Sequence, residues 1–165
     1  MGMIGAYVMV DPETIDKVQN GVLSVEDAIY VDEEIEDVLD IDKSWHIIHF
    51  ALTGEIDEGD GTDPLRNVVV MDGKYIGKHP KGSALCPMYL SLEQVADTND
   101  ALQKVSEDEF ARRFRQAEWS DDVYMAPVGD DADDLMEYAA YYFGEIKGFF
   151  ARATCESKCI VFYIS

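Results

Sequence analysis

The amino-acid sequence predicts an α+β fold, a single domain over residues 1–165 in which a mixed sheet that contains both terminal strands packs against several helices. Three observations support this prediction. Apolar, β-prone runs lie at both ends of the chain, and the segments between them mostly have helical periodicity. No internal repeat or long linker divides the 165 residues, a length that usually forms one hydrophobic core.

The N-terminal elements begin with a strand followed by helices. An apolar run over 4–10 predicts the strand, Asp11 and Pro12 then cap and open a helix, and a short second helix begins at Ser24. The acidic run 32–42 has apolar residues at mostly helical spacing. We therefore predict a helix there, whose charges form a solvated face.

The central segment combines a buried helix with a turn-rich region. Over 43–53 the apolar residues fall nearly all the way round a helical wheel, and Gly54 follows as a C-cap. The residues 55–65 form a predicted loop. Strand-forming runs at 68–71 and 74–76 flank an Asp-Gly pair, which predicts a tight β-hairpin.

The following segment is predicted to be helical. Ser91 with Gln94, and Ser106 with Glu109, have the spacing of capping boxes at the starts of two successive helices. Over 133–153 the apolar residues recur at intervals of three and four, which predicts a long helix that faces the core.

The chain closes with an apolar, β-prone run over 159–164, which predicts a last strand. This run and the first one, 4–10, are apolar along their whole length, so each needs cover on both faces. We therefore predict that the two terminal strands lie in one sheet.

The charge of the chain limits its partners. Thirteen basic against thirty-four acidic residues give a net charge of −21, which repels nucleic acid and anionic membranes over any distance that salt does not screen. We expect no nucleic-acid or membrane binding. The charge suits steering of a basic protein partner, and it suits equally an acidic proteome of a salt-adapted organism. The oligomeric state is not predicted.

The N-terminus has no basic region ahead of an apolar run, and no stretch approaches the roughly 20 apolar residues of a spanning helix. Three cysteines, Cys86, Cys155 and Cys159, are an odd number and are expected to be free thiols in a reducing compartment. We therefore expect a cytoplasmic protein.

Five segments carry a resemblance to a known bacterial family. They are MGMIGAY at the N-terminus, DIDKSWHIIHFALTG over 40–54, DPL from Asp63, MYLSLEQV from Met88, and the closing FFARATCESKCIVFYI. In these segments the chain resembles the YfbM-like proteins, a domain of unknown function. The run over 40–54 is the most specific. The resemblance implies a shared fold over nearly the whole chain and no known activity.

The resemblance marks eight residues in the central run as matching the family's motif: Asp42, Lys43, Trp45, His49, Phe50, Leu52, Thr53 and Gly54. The chain departs from the family's pattern ahead of MYLS, where a Gly-rich approach is expected and SALCP stands at 83–87. No role that the family assigns to that segment carries over.

Asp42, His46 and His49 are the residues most suggestive of chemistry. Because successive helical residues turn by about 100°, these three fall within about 60° of one another on one face of the predicted helix. A carboxylate and two imidazoles could bind a metal or transfer protons. The histidines are three apart with no Glu between them, unlike the zinc-binding helix motif, so further ligands would have to come from elsewhere.

The aspartates within 57–63 could supply such ligands, but they lack the spacing of a calcium loop. A structural interpretation of the three residues is favoured. In it Asp42 caps the helix, His49 is a hydrogen-bonded core residue, and His46 is partly exposed. Walker, Rossmann and nucleophile-elbow motifs are absent, and no cofactor is expected.

Charge and size together favour a protein-binding module with an acidic surface. A concrete form is an antidote to a basic toxin such as a nuclease, whose phosphate-binding cleft an acidic face would occupy. The alternative is a metal-assisted or hydrolytic enzyme with its site around Asp42, His46 and His49. Whether the protein is an enzyme stays open, with binding preferred.

Overall fold

The computed structural model describes residues 2–29, 37–57, 61–69, 71, 75–77 and 87–165. Within these ranges the strands are β1 (Gly5–Val10), β2 (Val38–Asp40), β3 (Met88–Leu90) and β4 (Cys159–Ile164). The α-helices are α1 (Pro12–Gln19), α2 (Val25–Ile29), α3 (Trp45–Thr53), α4 (Leu92–Gln103), α5 (Glu107–Gln116) and α6 (Ala132–Cys155). Short 3₁₀ helices span Asp42–Ser44, Pro64–Val68 and Gly129–Asp131. The predicted α+β class is confirmed.

The described strands form one sheet in the order β2-β1-β4-β3. The terminal strands are direct neighbours, paired from Gly5 opposite Ile164 to Val10 opposite Cys159, which confirms that they share a sheet. The predicted mixed sheet needs one correction, because every pairing among these strands is antiparallel. Strand direction was not readable from the sequence, since a strand covered on both faces is apolar throughout in either arrangement.

Helices cover the sheet on both faces. Tyr7 and Met9 of β1 point into a large core that is shared with α3, α4, α5 and α6. Val8 and Val10 point the other way, into a smaller core beneath α1 and α2. All six residues of β1 are therefore buried, which explains why the strand lacks polar alternation.

The predicted helix over 32–42 is wrong in the part that the structure describes. Residues 30–36 lie outside the described ranges, and Val38–Asp40 form the strand β2, which pairs with β1. The amide of Ile41 continues this contact by donating to the carbonyl of Gly5 at 2.9 Å. Pairing with a distant strand overrides a helical spacing that only three or four apolar residues supported.

The predicted hairpin strand at 68–71 is also wrong. Asp63 caps a 3₁₀ helix by accepting a hydrogen bond from the amide of Leu65, and this helix includes Val68. The tight turn of Asp-Pro at its start overrides the β propensity of the valines. Position 70 and the Asp-Gly turn at 72–74 lie outside the described residues, and Tyr75 forms a single bridge with Met88.

Capping residues in the sequence correctly predicted the ends of several other helices. Ser91 and Gln94 form a reciprocal capping box at the start of α4. At α5 the hydroxyl of Ser106 accepts from the amide of Glu109, but the Glu109 carboxylate binds arginines one turn later. Gly54 ends α3 with a φ of 72°, a left-handed conformation that glycine adopts without strain.

Among the described residues no helix is both long and apolar enough to cross a membrane. Cys155 is exposed and Cys159 is buried, and both are free thiols, as expected. Cys86 lies outside the described residues.

Candidate functional site

Asp42 begins the 3₁₀ helix Asp42–Ser44 with a φ of 48°, a left-handed conformation that costs energy for a residue with a side chain. Its amide donates to the Asp40 carboxylate at 2.7 Å. Its own carboxylate accepts a 2.9 Å hydrogen bond from the hydroxyl of Tyr138, and that hydroxyl accepts from the amide of Lys43 at 3.1 Å. Asp42 therefore anchors to α6 and does not cap a helix, which corrects the expectation.

The Tyr138 hydroxyl is held in its protonated form. Burial raises the pKa of Tyr138 above its ordinary value, and the hydrogen bond to Asp42 raises it further. The two side chains thus act as a donor–acceptor pair that fixes the direction of the Asp42 carboxylate. Tyr138 lies in the predicted long helix over 133–153, and nothing in the spacing of that helix indicated this contact.

The Asp42–Tyr138 pair lies at the wall of an open groove with a volume of about 510 Å³. The groove is formed by the 3₁₀ helix Asp42–Ser44, the segment 125–131 and the first turns of α6. Its lining residues are Asp42, Lys43, Met125, Ala126, Val128, Asp131, Asp134, Leu135 and Tyr138. Three carboxylates thus face one ammonium group. Val128 is 77% exposed, so the groove also presents an apolar surface to solvent.

His46 is buried, with 8% of its surface exposed, and not partly exposed as expected. Its Nδ1 accepts a 2.9 Å hydrogen bond from the amide of Tyr124, so its Nε2–H donates to the carbonyl of Ile56 at 3.0 Å. The ring also stacks on Trp45 with centroids 4.6 Å apart. Both ring nitrogens are used by the backbone, so a metal could bind this imidazole only by breaking one of these bonds.

His49 is fully buried, in agreement with the structural interpretation. Its Nε2–H donates to the carbonyl of Asp57 at 3.2 Å, and its Nδ1 has no hydrogen-bond partner among the described residues. Burial lowers the pKa of His49 to about 4, and the positive charge of Arg66 contributes to this shift. The imidazole is therefore neutral near pH 7, with Nδ1 as an unused acceptor.

In the structure the two histidines bind the same loop, whereas Asp42 contacts a different element, α6. His46 and His49 bind consecutive carbonyls, at Ile56 and Asp57, whereas the Asp42 carboxylate binds Tyr138. In the described part of the chain, no group of three or more His, Cys, Asp or Glu side chains is arranged to hold a metal ion. The enzyme alternative around these three residues stays a prediction, which metal analysis of the purified protein would test.

A buried arginine near His49 was missed by sequence reasoning. Arg66 is 5% exposed, and its Nη1 forms a 2.6 Å ion pair with the carboxylate of Glu55. Within the part of the chain that the structure describes, its Nε and Nη2 have no hydrogen-bond partner. Gly61 lies directly against it, since a Cβ at that position would be 2.5 Å from Nη1. No local signal indicates a buried arginine, because its partner, Glu55, is distant in the sequence.

The fold has a solved counterpart. The crystal structure of a protein of unknown function, YfbM from Escherichia coli, is similar to this chain with a TM-score of 0.71 and 19% identity, over 98% of this chain and 99% of that chain. Among curated proteins, none matches the sequence. The model of a family described as a domain of unknown function, DUF1877, matches residues 1–163. The resemblance seen in the sequence is confirmed, and the chain belongs to the DUF1877 family.

Proposed function

We propose that the protein binds a basic segment of a protein partner in the groove beside Asp42. The observation that carries this proposal is the combination of three carboxylates with an exposed apolar side chain, Val128, around one concave surface. Arginine or lysine side chains of a partner would pair with the carboxylates. Apolar neighbours in the partner would cover Val128 and Met125.

Two of the carboxylates are the natural contacts for such a partner. Asp131 and Asp134 are both exposed, at the start of α6, and Lys43 is the one basic residue among the described residues that line the groove. Asp42 is held by Tyr138, so it offers a preorganised acceptor that loses little side-chain entropy on binding. The net charge of −21 adds long-range steering of a cationic partner, an effect that weakens with salt.

The backbone supports a role for this surface in binding. Asp42 and Met125 both line the groove and both have positive φ values, 48° and 61°. Such conformations are unfavourable for residues with side chains and cluster at functional sites. Here both residues lie in the lining of the groove.

A concrete form of the proposal is an antidote to a basic toxin such as a nuclease. An acidic surface that occupies a cleft built for phosphates would block that cleft by charge complementarity. This form rests on the net charge and on the small size of the domain.

The test uses a synthetic peptide of alternating arginine and leucine, titrated into isotope-labelled protein. We expect changes in the NMR chemical shifts of backbone amides, concentrated at residues 42–43 and 124–135. The double variant Asp131→Asn/Asp134→Asn should weaken binding about tenfold or more, as expected for two charge-assisted contacts. The control, Asp97→Asn/Asp100→Asn on exposed positions of α4, makes the same change in net charge.

Equal weakening in the two double variants, or shifts spread over every acidic face, would mean that the peptide senses net charge alone. That result would overturn the proposal. A fall in affinity of both variants with added salt is expected in either case, so salt dependence does not decide between them.

A further inference from the structure

One face of α6 continues out of the groove towards the C-terminal end of the helix. Because successive helical residues turn by about 100°, four side chains fall within about 60° of one another: Asp134, Tyr138, Tyr141 and Glu145. Asp134 and Tyr138 line the groove, and the other two follow on the next turns. At a rise of 1.5 Å per residue the four span about 16 Å. We call this set of four residues the α6 strip.

The middle of the α6 strip is an exposed aromatic ring, Tyr141, of which 64% is accessible to solvent. Its ring contacts that of the half-buried Tyr142 edge to face, with centroids 5.1 Å apart and an angle of 76° between the planes. Tyr142 packs in the same way on Tyr138, at 5.1 Å and 78°. The three rings therefore form a continuous aromatic surface that begins in the groove. Because Tyr142 already holds the Tyr141 ring, this ring loses little side-chain entropy when a ligand covers it.

Exposed carboxylates lie on both sides of the Tyr141 ring. Glu137 lies one turn before it and Glu145 one turn after it, and both are exposed. Residues four apart on a helix have Cβ atoms about 5–6 Å apart, so one ligand group can contact the ring and a carboxylate together. In the part of the chain that the structure describes, neither glutamate takes part in an ion pair. The cation–π contacts there involve Phe143 and Phe149 and not these tyrosines. The α6 strip and its flanks therefore offer a ring and carboxylates to a cation from outside.

Arginine fits this combination better than lysine does. A guanidinium is planar and weakly hydrated, so it stacks flat on an aromatic ring while the N–H groups at its edge donate to a carboxylate. An ammonium is a compact and strongly hydrated charge, which gains less from the face of a ring. A guanidinium that lies on Tyr141 has the carboxylate of Glu145 one turn away.

We propose that the α6 strip takes an arginine of the partner segment, which stacks on Tyr141 and pairs with the carboxylate of Glu145. This inference rests on the proposed function for its partner, a basic segment, and it adds which basic residue is recognised and where. Tyr141 lies about 10 Å along the helix from Asp134, a distance that three residues of an extended segment span. A segment with one basic side chain in the groove therefore places its arginine over Tyr141. A second copy of this chain is a poor occupant, because two chains of net charge −21 repel each other.

The test uses the alternating arginine–leucine peptide and a matched peptide in which lysine replaces every arginine. In the wild type the arginine peptide should shift the NMR signals of backbone amides at 137–148 as well as those of the groove. Tyr141→Leu removes the ring, and it should weaken binding of the arginine peptide about twofold to fivefold and that of the lysine peptide less. Tyr141→Phe keeps the ring and is the matched control, so its preference for the arginine peptide should equal that of the wild type.

A second pair of variants tests the carboxylate. Glu145→Gln should weaken binding of the arginine peptide about twofold to fivefold, as expected for one exposed ion pair. Glu93→Gln, on an exposed position of α4, makes the same change in net charge and should have a smaller effect. Equal weakening in the two variants would mean that Glu145 acts through net charge alone, and it would overturn the inference. The amide shifts of the wild type decide the question without any variant.

The titrations separate this inference from the proposed function. Shifts in the groove alone, with an unchanged preference for arginine in Tyr141→Leu, would overturn the inference and leave the proposed function standing. Shifts over 137–148 alone would support the α6 strip and overturn binding in the groove. No binding of either peptide would overturn both. A dimer of the free protein that Tyr141→Leu dissociates would assign the α6 strip to a second copy, and it would likewise overturn the inference.

Discussion

The hydroxyl of Tyr7, in the middle of β1, donates a 2.6 Å hydrogen bond to the main-chain carbonyl of Val68. Both residues are fully buried, and burial raises the pKa of Tyr7, so its hydroxyl remains a donor at every ordinary pH. The bond ties the 3₁₀ helix Pro64–Val68 to the sheet.

Replacing Tyr7 by phenylalanine should destabilise the protein by about 1–3 kcal/mol, because the buried Val68 carbonyl loses its partner while the packing is kept. For a domain of this size the melting temperature should fall by roughly 2–4 °C for each kcal/mol. Tyr141→Phe, at a residue 64% exposed on α6, is the matched control and should be nearly neutral. Equal melting temperatures for the two variants would show that the Tyr7 bond contributes nothing.

His46→Ala and His49→Ala should each cost about 2–4 kcal/mol, since both remove a buried ring together with its hydrogen bonds. His46 makes two bonds to the backbone and His49 makes one, so His46→Ala should be at least as harmful. Melting temperatures measured without added metal provide the comparison. Near-neutral changes in both variants, accompanied by loss of a bound metal, would instead support the enzyme alternative.

Stability should fall as the pH drops from about 6.5 towards 4. The folded pKa of His49, about 4, lies below the value near 6.5 of an unfolded chain, so the unfolded state takes up the proton first. The contribution of the neutral His49 ring to the free energy of unfolding is fully present above pH 6.5, and about 3 kcal/mol of it is lost by pH 4. Urea unfolding of the wild type and of His49→Gln across this range isolates the effect, because other acidic groups affect both proteins alike. Parallel pH profiles would contradict the prediction.

Added salt should raise the melting temperature over the first few tenths molar. The chain has thirty-four acidic residues and only thirteen basic ones. The acidic residues repel one another more in the compact state than in the expanded one, and salt screens this repulsion. Thermal unfolding at a series of sodium chloride concentrations measures the effect. A flat or falling melting temperature would count against it, and a requirement for molar salt would indicate adaptation to salt and weaken the steering argument.

Thiol labelling of the native protein should modify Cys155 and spare Cys159. Cys155 is exposed, whereas Cys159 is buried in β4, and burial raises the pKa of its thiol to about 11. Because the thiolate is the reactive form, Cys159 should be labelled only when the protein unfolds. Mass spectrometry of labelled peptides with and without denaturant reads out both sites. Rapid labelling of native Cys159 would show that the sheet opens at this strand.

Elements with local signals were predicted correctly from the sequence. The capping box at Ser91, the glycine at the end of α3 and the long apolar stripe of α6 each depend on residues within a few turns of one another. The two terminal strands were recognised because β1 and β4 are apolar along their whole length. The three candidate residues were named from spacing alone, and the burial of His49 agreed with the structural interpretation.

The tertiary structure decided what these residues contact. Asp42 and Tyr138 are 96 positions apart in the chain, and Tyr7 and Val68 are 61 apart. No periodicity encodes such pairs, since the free energy of each bond depends on burial that exists only after the sheet and α6 have packed. For the same reason β2 became a strand against its helical spacing, and Arg66 became a buried cation that its neighbours in sequence do not indicate.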